Sequence, residues 1–298
     1  MPLTLSPMDI RFLQSFVAVV EYGSFAEAAR RLGLTPNAIA ARVKALEDAL
    51  DIPLVQRSGR TVMPTQGGLR ILARSRAVVR DVRDLGAIAH DDSIGGELRL
   101  GVSSSALTGL LPPILKRLYA RHPRLKIFVE PGTSSHLYRA VVSGDLDAGL
   151  IVMPQFAMPK AFAWKVLVEE PFIVLAPGEL AHRAPHDLLR TEPFIRYDRA
   201  MWGGMVADRY LQAHNIVPHE RLEIDALNAI AAMVGVGLGV SLVPDWARPW
   251  PEGPGVGNIA RIALPAAATP NPTRRIGLLW SPKGPHAAIA EAFLASVD

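Results

Sequence analysis

Apolar residues along this chain fall into three regimes of spacing, and each regime predicts a different kind of element. From Ile10 to Leu46 they recur every three or four positions. Ile10, Leu13, Phe16 and Val17 share one face of an opening helix, and Ala28, Ala29 and Leu32 share one face of a second. Ile39, Val43 and Leu46 form the inward stripe of a third. From Thr65 to about Ala89 no proline intervenes, and Ile71, Ser75, Val78, Val82, Leu85 and Ala89 follow steps of four and three. That heptad-like seam, flanked by Arg70, Arg74, Arg76, Arg80 and Arg83, predicts one long helix. So narrow an edge calls for a second copy of itself, packing on its own domain being the alternative. After a hinge at 90–96 the period shortens. Residues 97–102, 125–130 and 147–152 read as strands, with helices over 107–119 and 135–143 between them. Such alternation predicts a mainly parallel sheet with helices on both faces.

Local punctuation sharpens the first three helices. Ser24 suits the N-cap of the second, and Glu27 three residues on completes a capping box. Gly33 suits its left-handed end, Thr35 caps the third helix, and Pro36 stands first in it. Two short helices joined by so tight a turn form a helix-turn-helix, which lays its second helix in the major groove of DNA. Opposite the apolar stripe lie Asn37, Ala40, Ala41 and Lys44, with Arg42 nearer the edge. Asn pairs with the edge of adenine, an Ala methyl meets a thymine methyl, and Lys44 and Arg42 neutralise phosphates. A helical hairpin with a solvated face is the bland alternative. Residues 56–61 read as a tight turn between two short strands, with Arg57 and Arg60 flanking its tip; an ordinary surface turn could carry the same pair.

Several spaced elements in order carry a family resemblance. The opening helix, Gly23-Ser24-Phe25, Leu46-Glu47, Pro53-Leu54-Val55 and Pro64-Thr65 resemble the N-terminal region of the LysR-type transcriptional regulators. The family pattern of Ser-Gln-Pro-Ala at the start of the recognition helix is here Thr35-Pro36-Asn37-Ala38, and Ala40-Ala41 stand where Ser and a basic residue are common. That departure moves the expected contacts toward Asn37, Arg42, Lys44, the turn arginines and DNA shape. Further on, Leu110-Leu111-Pro112, Gly144-Asp145-Leu146-Asp147 and the stretch Gly235 to Val240 resemble the effector domain of the same family. The resemblance implies a multidomain chain: an all-α winged helix-turn-helix (1–65), a linker and dimerisation helix (66–90), and an α/β two-lobed domain similar to periplasmic binding proteins (91–298). Lobe I would comprise 91–161 and 269–298, and lobe II 162–268. It also implies a homodimer or homotetramer on double-stranded promoter DNA, with RNA polymerase as a further partner.

Ligands of open α/β sheets sit beyond the carboxyl ends of strands, at helix N-termini. Ser103, Ser104 and Ser105 follow the first strand, and Thr133 and Ser134 the second; helix capping competes as their role. Arg196 could hold an anion, though a salt-bridged Arg is commoner, and Trp202 is more often core than platform. Asn228 is a further candidate. Gly235-x-Gly237-x-Gly239 lacks the spacing of a dinucleotide fingerprint and reads as a close helix-to-strand turn. His182 and His186 lack a third metal ligand, and no nucleophile, base and orienting acid stand at recognisable spacing.

Charge agrees with this division. Residues 1–90 hold twelve Lys and Arg against eight Asp and Glu, whereas 91–298 hold twenty of each, so the positive excess lies wholly with the helix-turn-helix. No cysteine is present, which excludes disulfides and thiolate chemistry and agrees with a reducing cytoplasm. Asp9, Arg11 and Glu21 break any leader-like apolar run, and no stretch approaches the ~20 apolar residues of a membrane span. The expectation is a cytoplasmic regulator without metal or cofactor that senses a small organic, anionic effector. A solute-binding protein or an enzyme using the same cleft are the alternatives.

Overall fold

The computed structural model describes residues 8–59, 61–89, 97–246, 259–266 and 271–297. Arg60, the hinge at 90–96, the return crossing near 268 and the side chains of Arg83 and Ala89 lie outside the described residues. The chain divides into two units, Met1–Gly96 with Ser143–Asp145, and Glu97–Val142 with Leu146–Asp298.

The first unit contains α1 (Ile10–Tyr22), α2 (Phe25–Leu32) and α3 (Pro36–Leu50), then strands β1 (Val55–Ser58) and β2 (Thr61–Pro64), then α4 (Gln66–Ala89). Its local signals act as the residues dictate. Thr35 Oγ1 accepts from the Ala38 amide at 3.2 Å, and Gly33 ends α2 at φ +66°. Only half of the expected capping box forms. Ser24 Oγ accepts from the Glu27 amide, but the Glu27 carboxylate turns to Arg30 and Arg31. Two guanidiniums one turn ahead offer it charge-assisted bonds that the neutral Ser24 amide cannot match.

Phe16, Val19, Ala28, Ile39, Leu46 and Leu54 are fully buried and make the core of this unit. Burying each large side chain is worth about 1.5–3 kcal/mol. Strands β1 and β2 pair antiparallel with Ser58 opposite Thr61, leaving a two-residue turn. Glu47 Oε1 accepts from the Leu54 and Val55 amides and fixes where that hairpin begins. The start of α4 lies against it. A Cβ on Gly68 would meet the Leu54 carbonyl oxygen at 2.1 Å, so only glycine permits this approach. The α4 seam divides in two: Ile71 and Val78 pack on the unit's own core and Ser75 is buried, while Val82 and Leu85 are 44% and 60% exposed.

The second unit begins with β3 (Glu97–Ser103), α5 (Ser104–Gly109), α6 (Leu111–Arg121), β4 (Lys126–Gly132), α7 (Ser134–Ser143) and β5 (Ala148–Val152). The single helix expected over 107–119 is two, broken at Leu110. Pro112 and Pro113 have no N–H to continue a helix and are accommodated in the first turn of a new one. There follow β6 (Ala163–Pro177), α8 (Pro185–Thr191), β7 (Pro193–Tyr197), α9 (Trp202–Ala213), β8 (His219–Ile224), α10 (Leu227–Gly235) and β9 (Ser241–Pro244). Strands β10 (Ile259–Ala263) and β11 (Thr273–Trp280) and helix α11 (Ala287–Leu294) complete it.

Strands β4, β3 and β5 are parallel, as the alternation predicts; β11 and β6 join them antiparallel, so the sheet is mixed. β6 belongs to two layers. Its first half pairs with β11, and its second half with β9 and β10. Because β6 and β11 carry the chain between the lobes, whatever holds them together sits at the hinge. Arg274 of β11 faces Glu170 of β6, with Nε donating to the carboxylate at 2.7 Å, and their side chains are 1% and 4% exposed. Breaking such a pair leaves one charge buried and alone. Arg274→Ala is expected to destabilise the second unit by about 3–5 kcal/mol in urea unfolding, and replacing both residues by Met is expected to restore most of the loss.

Candidate functional site

Each unit presents one surface with chemistry to offer. On the first, Thr35, Pro36, Asn37, Ala40, Ala41 and Lys44 are all exposed on α3, and Arg42 is half-buried beside them. The apolar stripe of Ile39, Val43 and Leu46 is buried behind. The period of the helix therefore separates the two faces as the sequence predicts. Lys44 Nζ lies 2.9 Å from Asp48, whose hydrogen bond raises the ammonium pKa and keeps it charged. Both partners are exposed, so the pair is weak and Lys44 is available to a stronger anion. Arg57 is exposed on β1, whereas Arg60 lies outside the described residues. Ser24 has its hydroxyl engaged in capping α2.

On the second unit a cavity opens between the lobes. It has an empty volume of about 520 Å³, its open mouth included. Ser103, Ser104, Ser105, Thr133, Ser134 and Trp202 all line it, as expected from strand ends. Several of these hydroxyls also hold structure: Ser134 Oγ accepts from the Val152 amide at 3.0 Å, and Thr133 Oγ1 from the His136 amide at 3.4 Å. Ser105 Oγ accepts from Arg274 Nη2 at 3.1 Å. The Ser103 hydroxyl is buried and has no partner among the described residues.

Trp202 serves core and cavity together. Its ring lies edge-on to Tyr138 and Phe156, with centroids 5.9 and 5.7 Å away, and those two stand 5.2 Å apart. Tyr138 and Phe156 belong to lobe I and Trp202 to lobe II, so the cluster bridges the mouth. Each such contact contributes about 0.5–1.5 kcal/mol beyond area burial.

Two expected cavity residues are elsewhere. Arg196 does not line the cavity; it is buried in ion pairs with Asp208 at 2.7 Å and with Glu220. The reason is the period of a strand. Tyr197, the next residue of β7, lines the cavity, so Arg196 points to the opposite face. Asn228 is likewise outside, its Oδ1 accepting from Trp246 Nε1 at 3.2 Å, while its neighbour Leu227 lines the cavity.

In their place the structure brings in Arg274, Tyr197 and Asp225. Arg274 ties the crossover strands to both lobes, reaching Ser105 on one side and the Tyr197 hydroxyl at 3.4 Å on the other. Burial raises the Tyr197 pKa, against the pull of Arg274, so it remains a neutral phenol. A signal for this core was present in the chain. Arg274 alternates in phase with the buried Ile276 and Leu278, and Glu170 with Phe172. Gly237 and Gly239 adopt positive φ in a helix-to-strand turn, as expected. No group of three His, Asp or Glu able to hold a metal occurs among the described residues.

Known proteins share both surfaces. The family of bacterial regulatory helix-turn-helix proteins, lysR family, matches residues 10–69, and the LysR substrate binding domain matches residues 91–298. A probable hydrogen peroxide-inducible genes activator of Mycobacterium leprae is 31% identical over 282 residues, covering 90% of this chain and 86% of its own length. The transcriptional activator IlvY of Salmonella typhimurium is 29% identical over 249 residues, covering 80% and 83%. Full-length OxyR of Pseudomonas aeruginosa superposes with a TM-score of 0.72 at 26% identity, over 97% of this chain and 94% of its own. CbnR, solved in complex with its target DNA, shares the fold at 19% identity with a TM-score of 0.67, over 97% and 99%. A DNA-reading head and a cleft-bearing sensor domain, each matched over its length, make this chain a member of the LysR-type transcriptional regulators, neither an enzyme nor a solute-binding protein.

Proposed function

We propose that the protein reads promoter DNA as a dimer through α3 and the β1–β2 hairpin, and that a small organic effector in the interlobe cavity biases its regulatory state. The observation that carries the DNA assignment is the exposed run of Asn37, Ala40, Ala41 and Lys44 on the side of α3 opposite its buried stripe. Only one amide and two methyls on that face address base edges. Phosphate contacts from Lys44, Arg42 and Arg57, together with DNA deformability, then carry much of the binding.

Pairing of two copies follows from the divided seam of α4. Its first half is satisfied inside the unit, whereas Val82 and Leu85 remain exposed to water. A single head contacts one half-site, so a second head multiplies affinity. On the sensor side, cavity walls from both lobes give a ligand contacts that depend on how the lobes stand. Only that difference in contact can shift the equilibrium between regulatory states. The chain has no cysteine, so thiol oxidation is not its signal, whatever the inducer of its peroxide-related relative.

Three outcomes test this reading. Lys44→Ala and Arg57→Ala are each expected to weaken binding to promoter duplexes of any sequence and to flatten the salt dependence by about 0.9 in log–log slope; unchanged affinity in a fluorescence-anisotropy titration overturns the assignment. Leu85→Glu is expected to raise the monomer fraction in sedimentation equilibrium, and an unchanged dimer would place the pairing surface elsewhere. Ser104→Tyr fills the cavity mouth and is expected to abolish effector-induced change in promoter output while DNA binding persists; a retained response rules the cavity out.

A further inference from the structure

The charges around the interlobe cavity are unbalanced in a way that specifies what should fill it. Arg274 is the one cation in its lining, and Glu170 already neutralises it from behind. Asp225, on the opposite wall, makes no hydrogen bond or ion pair among the described residues. One cation therefore stands against two carboxylates. A plain anion entering this cavity would find no net positive charge to receive it, and Arg196, the cation that could have supplied one, is turned away and paired with Asp208 and Glu220.

The lobe I wall has the opposite character. Ser103, Ser105, Thr133 and Ser135 bring hydroxyls to it. The ten-residue helix α7 begins there, and the first N–H groups of a helix have no partner within it and form its positive end. The buried Ser103 hydroxyl, without a partner among the described residues, leaves a hydrogen bond unmade that a ligand acceptor would complete. Donors thus face an unpartnered carboxylate across a small gap.

We propose that the effector is a small zwitterion of the amino-acid type, its carboxylate received by the hydroxyls and α7 amides of lobe I and its ammonium group by Asp225 of lobe II. Binding then joins the two lobes through two charges of opposite sign, and neither charge alone suffices. The aromatic rim of Trp202 and Tyr138 accepts the apolar part of the molecule. This assignment rests on the effector cavity described above, and the measurement separates failure of one from failure of the other.

The test is calorimetric titration of the full chain with individual free L-amino acids, their N-acetyl and amide derivatives, and the plain carboxylates acetate, succinate and benzoate. At least one free amino acid is expected to bind, with its N-acetyl and amide forms weaker by tenfold or more. Asp225→Asn is expected to weaken that amino acid at least tenfold with no change in Tm, since Asp225 is exposed and unpaired. Absence of binding by every free amino acid, equal binding of a blocked derivative, or an unchanged affinity in Asp225→Asn each overturns the proposal. A plain carboxylate that binds and is excluded by Ser104→Tyr leaves the cavity standing as effector site but removes the zwitterion. An amino acid that binds undiminished in Ser104→Tyr removes the cavity itself.

Discussion

Arg274 and Glu170 lie opposite one another on β11 and β6, the two strands through which the chain passes between lobes, and neither side chain reaches water. Two charges in that position set conditions on everything around them. A slip of register by one residue would turn both side chains to the other face of the sheet and separate them, so the pair fixes the alignment of the crossover strands. Its remaining donors fix more. One reaches Ser105 at the start of α5 and another the Tyr197 hydroxyl at the end of β7, which makes the floor of the cavity a junction of three segments far apart in sequence. Such a pair adds little net stability over an apolar core, and its contribution is specificity of arrangement. The lobes close on a floor already built.

The first unit was the more legible in the chain because its determinants are local. A cap, a left-handed glycine and a stripe of period 3.6 lie within a few residues of one another, and α2 and α3 begin and end where those signals stand. The Glu27 carboxylate departs from expectation because two arginines one turn on compete for it. The cavity was legible in part. Its Ser and Thr wall follows from the rule that ligands sit at strand ends, and those residues do line it. Arg196 misled because a polar residue near a strand end says nothing about which face it occupies. One position along, Tyr197 has the correct face. Arg274 and Glu170 were missed for a related reason: their partnership spans about a hundred residues of chain, and only the alternation with buried neighbours marked them as inward-facing.

Side-chain poverty on α3 has its own meaning. Alanine at 40 and 41 removes donors and acceptors from the centre of the exposed face but lets the helix approach closely. Recognition built this way depends on fit to the groove and on the methyl pattern of thymines more than on hydrogen-bond code. Sequence discrimination would then be spread over many base pairs, each contributing modestly. Within the described residues no helix is long and apolar enough to cross a membrane, and the surface chemistry of α3 is that of a DNA contact.

The divided seam of α4 has a mechanical consequence. Its first turns are part of the head's own core through Ile71 and Val78, so head and helix move as one stiff arm. A helix of 24 residues is about 36 Å long at 1.5 Å per residue. A tilt of about 10° at one end of such an arm carries the other through about 6 Å, roughly two base-pair steps of 3.4 Å. An angular change too small to disturb any core is thus converted into a displacement on the scale at which DNA is read.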